Sequence, residues 1–302
     1  MLVQMYSTFG VRYFCALFGK SRQAYYEQIN NFDNQGFRDA LVLKLVAEIR
    51  KDLPRCGTDK LHFMLQGAFK AHGIKIGRDA LYRLLDRHGK LIRHRRRKPY
   101  TTDSKHPYRK YPNLIRDLQL TAPGQLWVSD ITYIRLVQGF AYLSIITDAY
   151  SHKIVGYKLH STLHSQGAID ALLMAQNDAK RKTGLIHHSD RGVQYCCTDY
   201  VTMIEHLEIQ ISMTEKGDPY ENAIAERING ILKIEFQLEQ TFCGLAEAQQ
   251  AVAIAVKNYN HLRPHLSCDK MTPVMAHERN GLLKKHWKNK VFKHGQPPQS
   301  IS

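Results

Sequence analysis

The chain is short of cysteine pairs, long apolar runs and repeats, and each shortage narrows what it can be. Its 302 residues include six cysteines, at 15, 56, 196, 197, 243 and 268, with no Cys-x-x-Cys pair and no framework-like spacing. A disulfide scaffold is therefore not expected, nor is a zinc site built from these cysteines; they read as reduced, mostly buried thiols of a cytoplasmic protein. No stretch approaches the ~18 consecutive apolar residues of a membrane helix, so no membrane association is expected. The first twenty residues lack the basic start and unbroken apolar centre of a secretion signal. Internal repeats and low-complexity tracts are missing too. What remains is a chain with 43% hydrophobic residues, enough for a packed core, and a length that suits two or three small domains.

Acidic residues are scarce at both ends. The net charge is +16 and the pI about 9.6, which favours a polyanionic partner. Residues 1–120 hold 24 Lys/Arg against 10 Asp/Glu, residues 121–280 hold 14 against 17, and residues 281–302 hold 5 against none. An acidic middle between basic arms suits a carboxylate active site carried to nucleic acid by its flanks. A protein that coats nucleic acid would tend to be basic throughout.

Five segments follow from composition and periodicity. Residues 1–35 read as a helix-turn-helix-like segment, broken at Phe18-Gly19-Lys20-Ser21, with Ser21 placed to cap a second helix, AYYEQI. Residues 36–92 form a second helical DNA-binding module. In it, 38–53 is an amphipathic helix ending before Pro54, TDKLHFMLQGAF a second helix, and GRDALYRLLDRHG a third. That third helix sets Leu81, Leu84 and Leu85 on one face and Arg78, Arg83 and Arg87 elsewhere. Residues 93–120 make a basic linker in which Arg93, Arg95, Arg96, Arg97 and Lys98 are placed to lie along a phosphate backbone. Residues 121–280 carry strand-like segments followed by alternating helices and strands, and residues 281–302 are a basic tail. In the fourth segment LWVSDITYIRL, FAYLSIITDAY and HKIVGYKL read as an antiparallel meander. A helix, the strand LIHHS, a helix, the strand EIQISM and two further helices come after it. This order is that of the ribonuclease H-like fold, an α/β architecture with a five-stranded mixed sheet and helices on both faces, preceded here by small all-α modules.

Three carboxylates stand out within that order. Asp130 sits inside an otherwise apolar strand, where a charge is costly unless paired or bound to metal. Asp190 ends the strand LIHHS. Glu226 rides on a helix beginning near Asn222, with 35 residues between it and Asp190. Phosphodiester cleavage puts charge on both the attacking and the leaving oxygen, which two divalent ions about 3.5–4 Å apart can stabilise. Holding such ions takes hard oxygen ligands. The expected arrangement has Asp130 bridging both ions, with Asp190 and Glu226 each completing one. Mg2+ is the expected ion, two per site, with Mn2+ as a substitute.

The segments WVSDITYI, HHSDRGVQY and DPYENAIAERINGILKIE resemble the motifs of DDE-type integrase cores. Together with SRQAYY, the helical region 38–95 and YNHLRPHLSCDKMTPVMAH at 259–277, the chain is similar over nearly its whole length to transposases of the insertion-sequence-three group in their second-frame (OrfB) form. The group's usual Asp-Asn ahead of the glutamate stands here as Glu221-Asn222, a departure that leaves the three carboxylates intact. The resemblance implies recognition of terminal inverted repeats, cleavage to free a 3′-hydroxyl, and attack of that hydroxyl on target DNA. It also implies a self-multimer, a helix-turn-helix and leucine-zipper partner from an upstream frame or a fusion to it, and a cytoplasmic, nucleoid-associated location in a bacterium.

Several neighbours take secondary roles as expectations. Lys233, two helical turns past Glu226, is placed to contact DNA, as a similar lysine in integrase cores is. Arg191 and Asn222 would hold phosphate or orient ligands. Of His187 and His188, alternation along a strand puts one toward the core and one toward the site, a structural histidine being favoured over a ligand. Glu235 reads as a salt-bridge partner and Asp148 as a turn residue. For Tyr259, Asn260, Arg263, Pro264 and His265, helix-end packing and DNA contact stand level. Other readings are a catalytically silent DNA-binding regulator, a retroelement-type integrase, for which residues 1–100 lack the His-His-Cys-Cys zinc spacing, and a ribonuclease H.

Overall fold

The computed structural model of the protein describes residues 10–93, 107–177, 184–215, 222–284 and 286, without the side chains of 29–34. Of the expected phosphate-binding set, Arg95, Arg96, Arg97 and Lys98 lie outside these residues, as do Glu221 and nearly all of the tail. The chain divides into two compact units. One comprises residues 1–51 and 56–94, the other 52–55 and 95–302.

The first unit is helical. Helix α1 spans Val11–Leu17 and α2 spans Arg22–Asp52. Ser21 caps α2 as expected, its Oγ accepting a hydrogen bond from Ala24 N at 3.0 Å. The separate helices expected around AYYEQI and over 38–53 are one continuous helix, so the boundary expected at residue 35 falls inside α2. No proline lies between Ser21 and Pro54, and Gly36 alone costs a helix only about 1 kcal/mol. Pro54 then disfavours helical backbone at the residue before it. TDKLHFMLQGAF is in turn split, into α3 (Thr58–Met64) and α4 (Gln66–Ala71). Helix α5 (Arg78–Arg87) matches its expectation: Leu81, Leu84 and Leu85 are buried and Arg78, Arg83 and Arg87 exposed.

The second unit is built on a mixed sheet. Strands β1 (Leu126–Leu136), β2 (Gly139–Asp148), β3 (Ile154–His160), β4 (Ile186–Ser189) and β5 (Gln210–Met213) lie in the order β3-β2-β1-β4-β5. The first three pair antiparallel, while β4 runs parallel to β1 and β5 parallel to β4. A sixth, two-residue strand, β6 (Thr241–Phe242), runs parallel to the end of β1 and extends the five-stranded sheet that was expected.

Helices cover both faces. On one side α6 (Gln166–Asn177) and α8 (Thr198–His206) pack Leu172, Tyr200 and Ile204 with Trp127 and Ile146 of the sheet; a short turn of helix, α7 (Val193–Cys196), adds Tyr195. On the other, Ala225 of α9 (Ala223–Glu235) packs with Leu126 and Val128. Helix α10 (Leu245–Leu262) and the short α11 (Pro273–His277) complete the unit. Part of the expected linker belongs here. Pro112 O accepts from Met213 N at 3.3 Å, Ser212 Oγ accepts from Leu114 N at 2.9 Å, and Ile115 and Leu120 pack against the α9 side of the core. Among the described residues no helix is long and apolar enough to cross a membrane.

Candidate active site

Asp130 shares a sheet face with Leu126 and Val128, the face that α9 covers. Strand β4 runs beside β1 with His188 level with Val128, and two residues further along the same register lie Asp130 and Asp190. Parallel neighbours are about 4.8 Å apart, so the two carboxylates leave adjacent strands side by side. Glu226 joins them from the first turn of α9. The three acids therefore come from the central strand, the neighbouring strand end and the helix laid over them, as the sequence order predicts.

Their electrostatics register this crowding. Burial first, then the charge of Asp190 and, more weakly, that of Glu226 raise the Asp130 carboxyl to about 7, against hydrogen bonds from Asn229 and Ile131 N that favour the ionised form. Glu226 is also raised, first by burial and then by Asp190. It is nevertheless an exposed residue, while Asp130 and Asp190 are half-buried, so the site opens to solvent on the Glu226 side.

Neighbouring groups hold these acids in place. Asp130 Oδ1 accepts from Ile131 N at 2.9 Å and Oδ2 from Asn229 Nδ2 at 2.8 Å. Asn222, the residue ahead of α9, donates from Nδ2 to Ser129 O at 3.0 Å and is 6% exposed. Its amide ties the helix to β1, and its burial leaves it little free surface. Asp190 Oδ1 accepts from Gly192 N at 2.9 Å, and a Cβ at Gly192 would stand 2.9 Å from that same oxygen. Arg191 and Lys233 are both half-buried, the first following Asp190 in the chain and the second in the last turn of α9. Arg93 belongs to the helical unit, where it pairs with Asp86 at 3.3 Å.

Other candidates have structural work. His187 and His188 are both buried; alternation sets them on opposite faces of the sheet, His188 on the face that carries Val128 and Asp130, and helices cover both faces. His187 Nε2 bonds Ser129 Oγ and, at 3.0 Å, Tyr200 OH; His188 Nδ1 bonds Ser212 Oγ at 2.8 Å. Asp148 holds its turn through Gly124 N, Ser151 N and Ser151 Oγ. Glu235 makes a buried pair with Arg263. In the 259–265 signature packing prevails. Tyr259 OH donates to His152 O at 2.8 Å, and the Asn260 amide exchanges two hydrogen bonds with the backbone of Ile154. His265 stacks on His152, with ring centroids 4.5 Å apart and planes 9° from parallel. Cys268 brings a third possible metal-binding atom to that histidine pair. Parallel stacking, however, sets the in-plane lone pairs alongside one another rather than converging them on a point.

Asn229 and Gly192 went unnoticed in the sequence. The signal for Asn229 was present: residues 222, 226, 229 and 233 recur at helical spacing, so it belongs to the same stripe as Glu226.

Two integrase core domain families match the chain, over residues 121–219 and 207–273, a span that contains all three acids. The insertion element IS600 uncharacterized 31 kDa protein of Shigella sonnei is 34% identical over 270 residues, 88% of this chain and 97% of that protein. The transposase for insertion sequence element IS629, also of Shigella sonnei, is 34% identical over 191 residues, 63% of this chain and 64% of that one. Among solved structures, the HTLV-2 integrase catalytic core domain superposes with a TM-score of 0.43 at 19% identity, covering 53% of this chain and 100% of that domain. A mixed sheet in this order with an integrase core match defines a polynucleotidyl transferase with a ribonuclease H-like core. The chain belongs to the insertion-sequence-three group of transposases.

Proposed function

We propose that Asp130, Asp190 and Glu226 are the catalytic carboxylates and hold two divalent ions, Mg2+ or in its place Mn2+, for cleavage and strand transfer of an insertion sequence's DNA ends. The observation that carries this reading is the convergence of three acids, in which the charge of Asp190 raises the carboxyls of both Asp130 and Glu226. The donor set fits the ions: it consists of hard carboxylate oxygens, and Asp130 keeps lone pairs on both oxygens beyond the one protein donor that each accepts. Ions bound there would neutralise the charge that develops on the attacking and leaving oxygens of the phosphodiester.

The chain's own residues supply position. Asn222 fixes α9, and with it Glu226, against β1. Gly192 N sets the orientation of Asp190. Lys233 and Arg191 supply positive charge beside the acids for the DNA backbone, and Arg93, Arg95, Arg96, Arg97 and Lys98 supply a phosphate track ahead of the core. The DNA partners are the terminal inverted repeats and the target. Joining two ends calls for a self-multimer, and an upstream-frame helix-turn-helix and leucine-zipper protein, as partner or fusion, completes end recognition at the nucleoid.

The test is a strand-transfer assay with end oligonucleotides and plasmid target. Joined product with Mg2+ and none with EDTA is the expected result. Joining that persists in EDTA, or uncut ends throughout a Mg2+ and Mn2+ series that includes the upstream-frame partner, contradicts it.

A further inference from the structure

One polar side chain of α9 sits where an apolar one would pack. Ile228, Ile231 and Leu232 around it are at most 2% exposed, and Asn229 is itself only 6% exposed. Burying an amide in such surroundings is unfavourable unless its hydrogen bonds are made. Only half of this one is used. Nδ2 donates to Asp130 Oδ2 at 2.8 Å, whereas Oδ1 is buried with no hydrogen-bond partner among the described residues. A leucine would fill similar space without that cost, so the single bond to Asp130 is what the amide contributes.

The bond acts on a particular degree of freedom. Asp130 Oδ1 is already held by Ile131 N at 2.9 Å, a contact that leaves the carboxylate free to turn about it. A donor on Oδ2 from a different element removes that freedom and sets the plane of the carboxylate. Asn222, seven residues earlier on the same stripe, grips the backbone at Ser129 O instead. The two asparagines thus divide the task. Asn222 seats the helix on the strand, and Asn229 reaches past the backbone to the Asp130 carboxylate. Because Glu226 lies between them, one turn from each, the same helix presents the third acid and orients the first.

We propose that Asn229 is a positioning residue that fixes the Asp130 carboxylate in the orientation divalent-ion binding requires. The proposal rests on the reading of Asp130 as an ion ligand. Groups that orient metal ligands typically carry a tenfold to hundredfold effect on affinity. A merely structural asparagine would influence melting and leave ion affinity alone.

The experiment titrates the full chain with Mn2+, following free ion by electron paramagnetic resonance well below the melting temperature, with a melting curve for every variant. Asn229→Leu removes the donor and keeps the volume; Asn229→Ala serves in its place if the leucine variant does not fold. Affinity about tenfold or more below the parent is expected. Parental affinity overturns the proposal, whatever happens to the melting temperature. Asp130→Asn in the same titration separates the two claims. If it loses Mn2+ binding while the Asn229 variant keeps it, the positioning role alone fails. If it binds as the parent does, the assignment of Asp130 as a ligand fails.

Discussion

Arg263 and Glu235 meet in a bidentate, buried ion pair, with Nε to Oε2 and Nη2 to Oε1 both at 2.8 Å. The pair joins the end of α10 to the end of α9, the helix that carries Glu226 at its other end. Arg263 also lies over the Tyr259 ring, 5.8 Å from its centroid. Removing one partner strands the other charge in the core. Arg263→Ala should therefore lower unfolding free energy by about 3–5 kcal/mol, measured by chemical denaturation. A loss under about 1 kcal/mol would mean that water reaches the freed glutamate.

Asp148 gives a pH-dependent signature. Burial alone would raise its carboxyl, but His277, Gly124 N and Ser151 N bring it below the usual carboxylate range. A carboxyl depressed in the folded state stabilises above its unfolded value of ~3.9, and that stabilisation fades as pH falls through the folded value. Asp148→Asn should be clearly less stable than the parent at pH 7, the gap narrowing below about pH 4. A gap independent of pH in paired denaturation curves would remove the charge from the explanation.

Gly156 on β3 lies against α6. A Cβ there would stand 2.1 Å from Ala171 O and 2.9 Å from the Ala175 Cβ. Because the obstacle is helix backbone, it cannot rotate away. Gly156→Ala is expected to cost about 1–3 kcal/mol or more by forcing α6 off the sheet. An unchanged melting temperature would contradict this packing.

The basic run before the core should be visible in salt dependence. Neutralising Arg93, Arg95, Arg96 and Arg97 should reduce the slope of log K against log salt by roughly 0.9 for each phosphate that the protein no longer neutralises. An unchanged slope would show that the run does not touch phosphate.

The three acids were legible because chain order alone assigns them to a strand, a strand end and a helix of one known topology. The groups that hold them were harder to read. A polar residue on a helix, such as Asn229, ordinarily faces water; its spacing from Glu226 puts it on the same stripe but does not reveal that it is buried. The continuity of α2 was hidden by the polar run around Gly36, which looks like a loop although it contains no proline. The signature at 259–265 was ambiguous because tyrosine, asparagine, arginine and histidine serve equally at a DNA surface and in a buried hydrogen-bond network. Only the partners of Arg263 and Asn260 distinguish the two.

The central claim is that Asp130, Asp190 and Glu226 perform the chemistry rather than the DNA binding. Its most direct measurement is Mg2+-dependent strand transfer by Asp130→Asn, Asp190→Asn and Glu226→Gln, each paired with a DNA-binding isotherm. The account predicts loss of strand transfer in all three, with affinity for the terminal repeats close to that of the parent. Near-parental strand transfer by any one of them would contradict it.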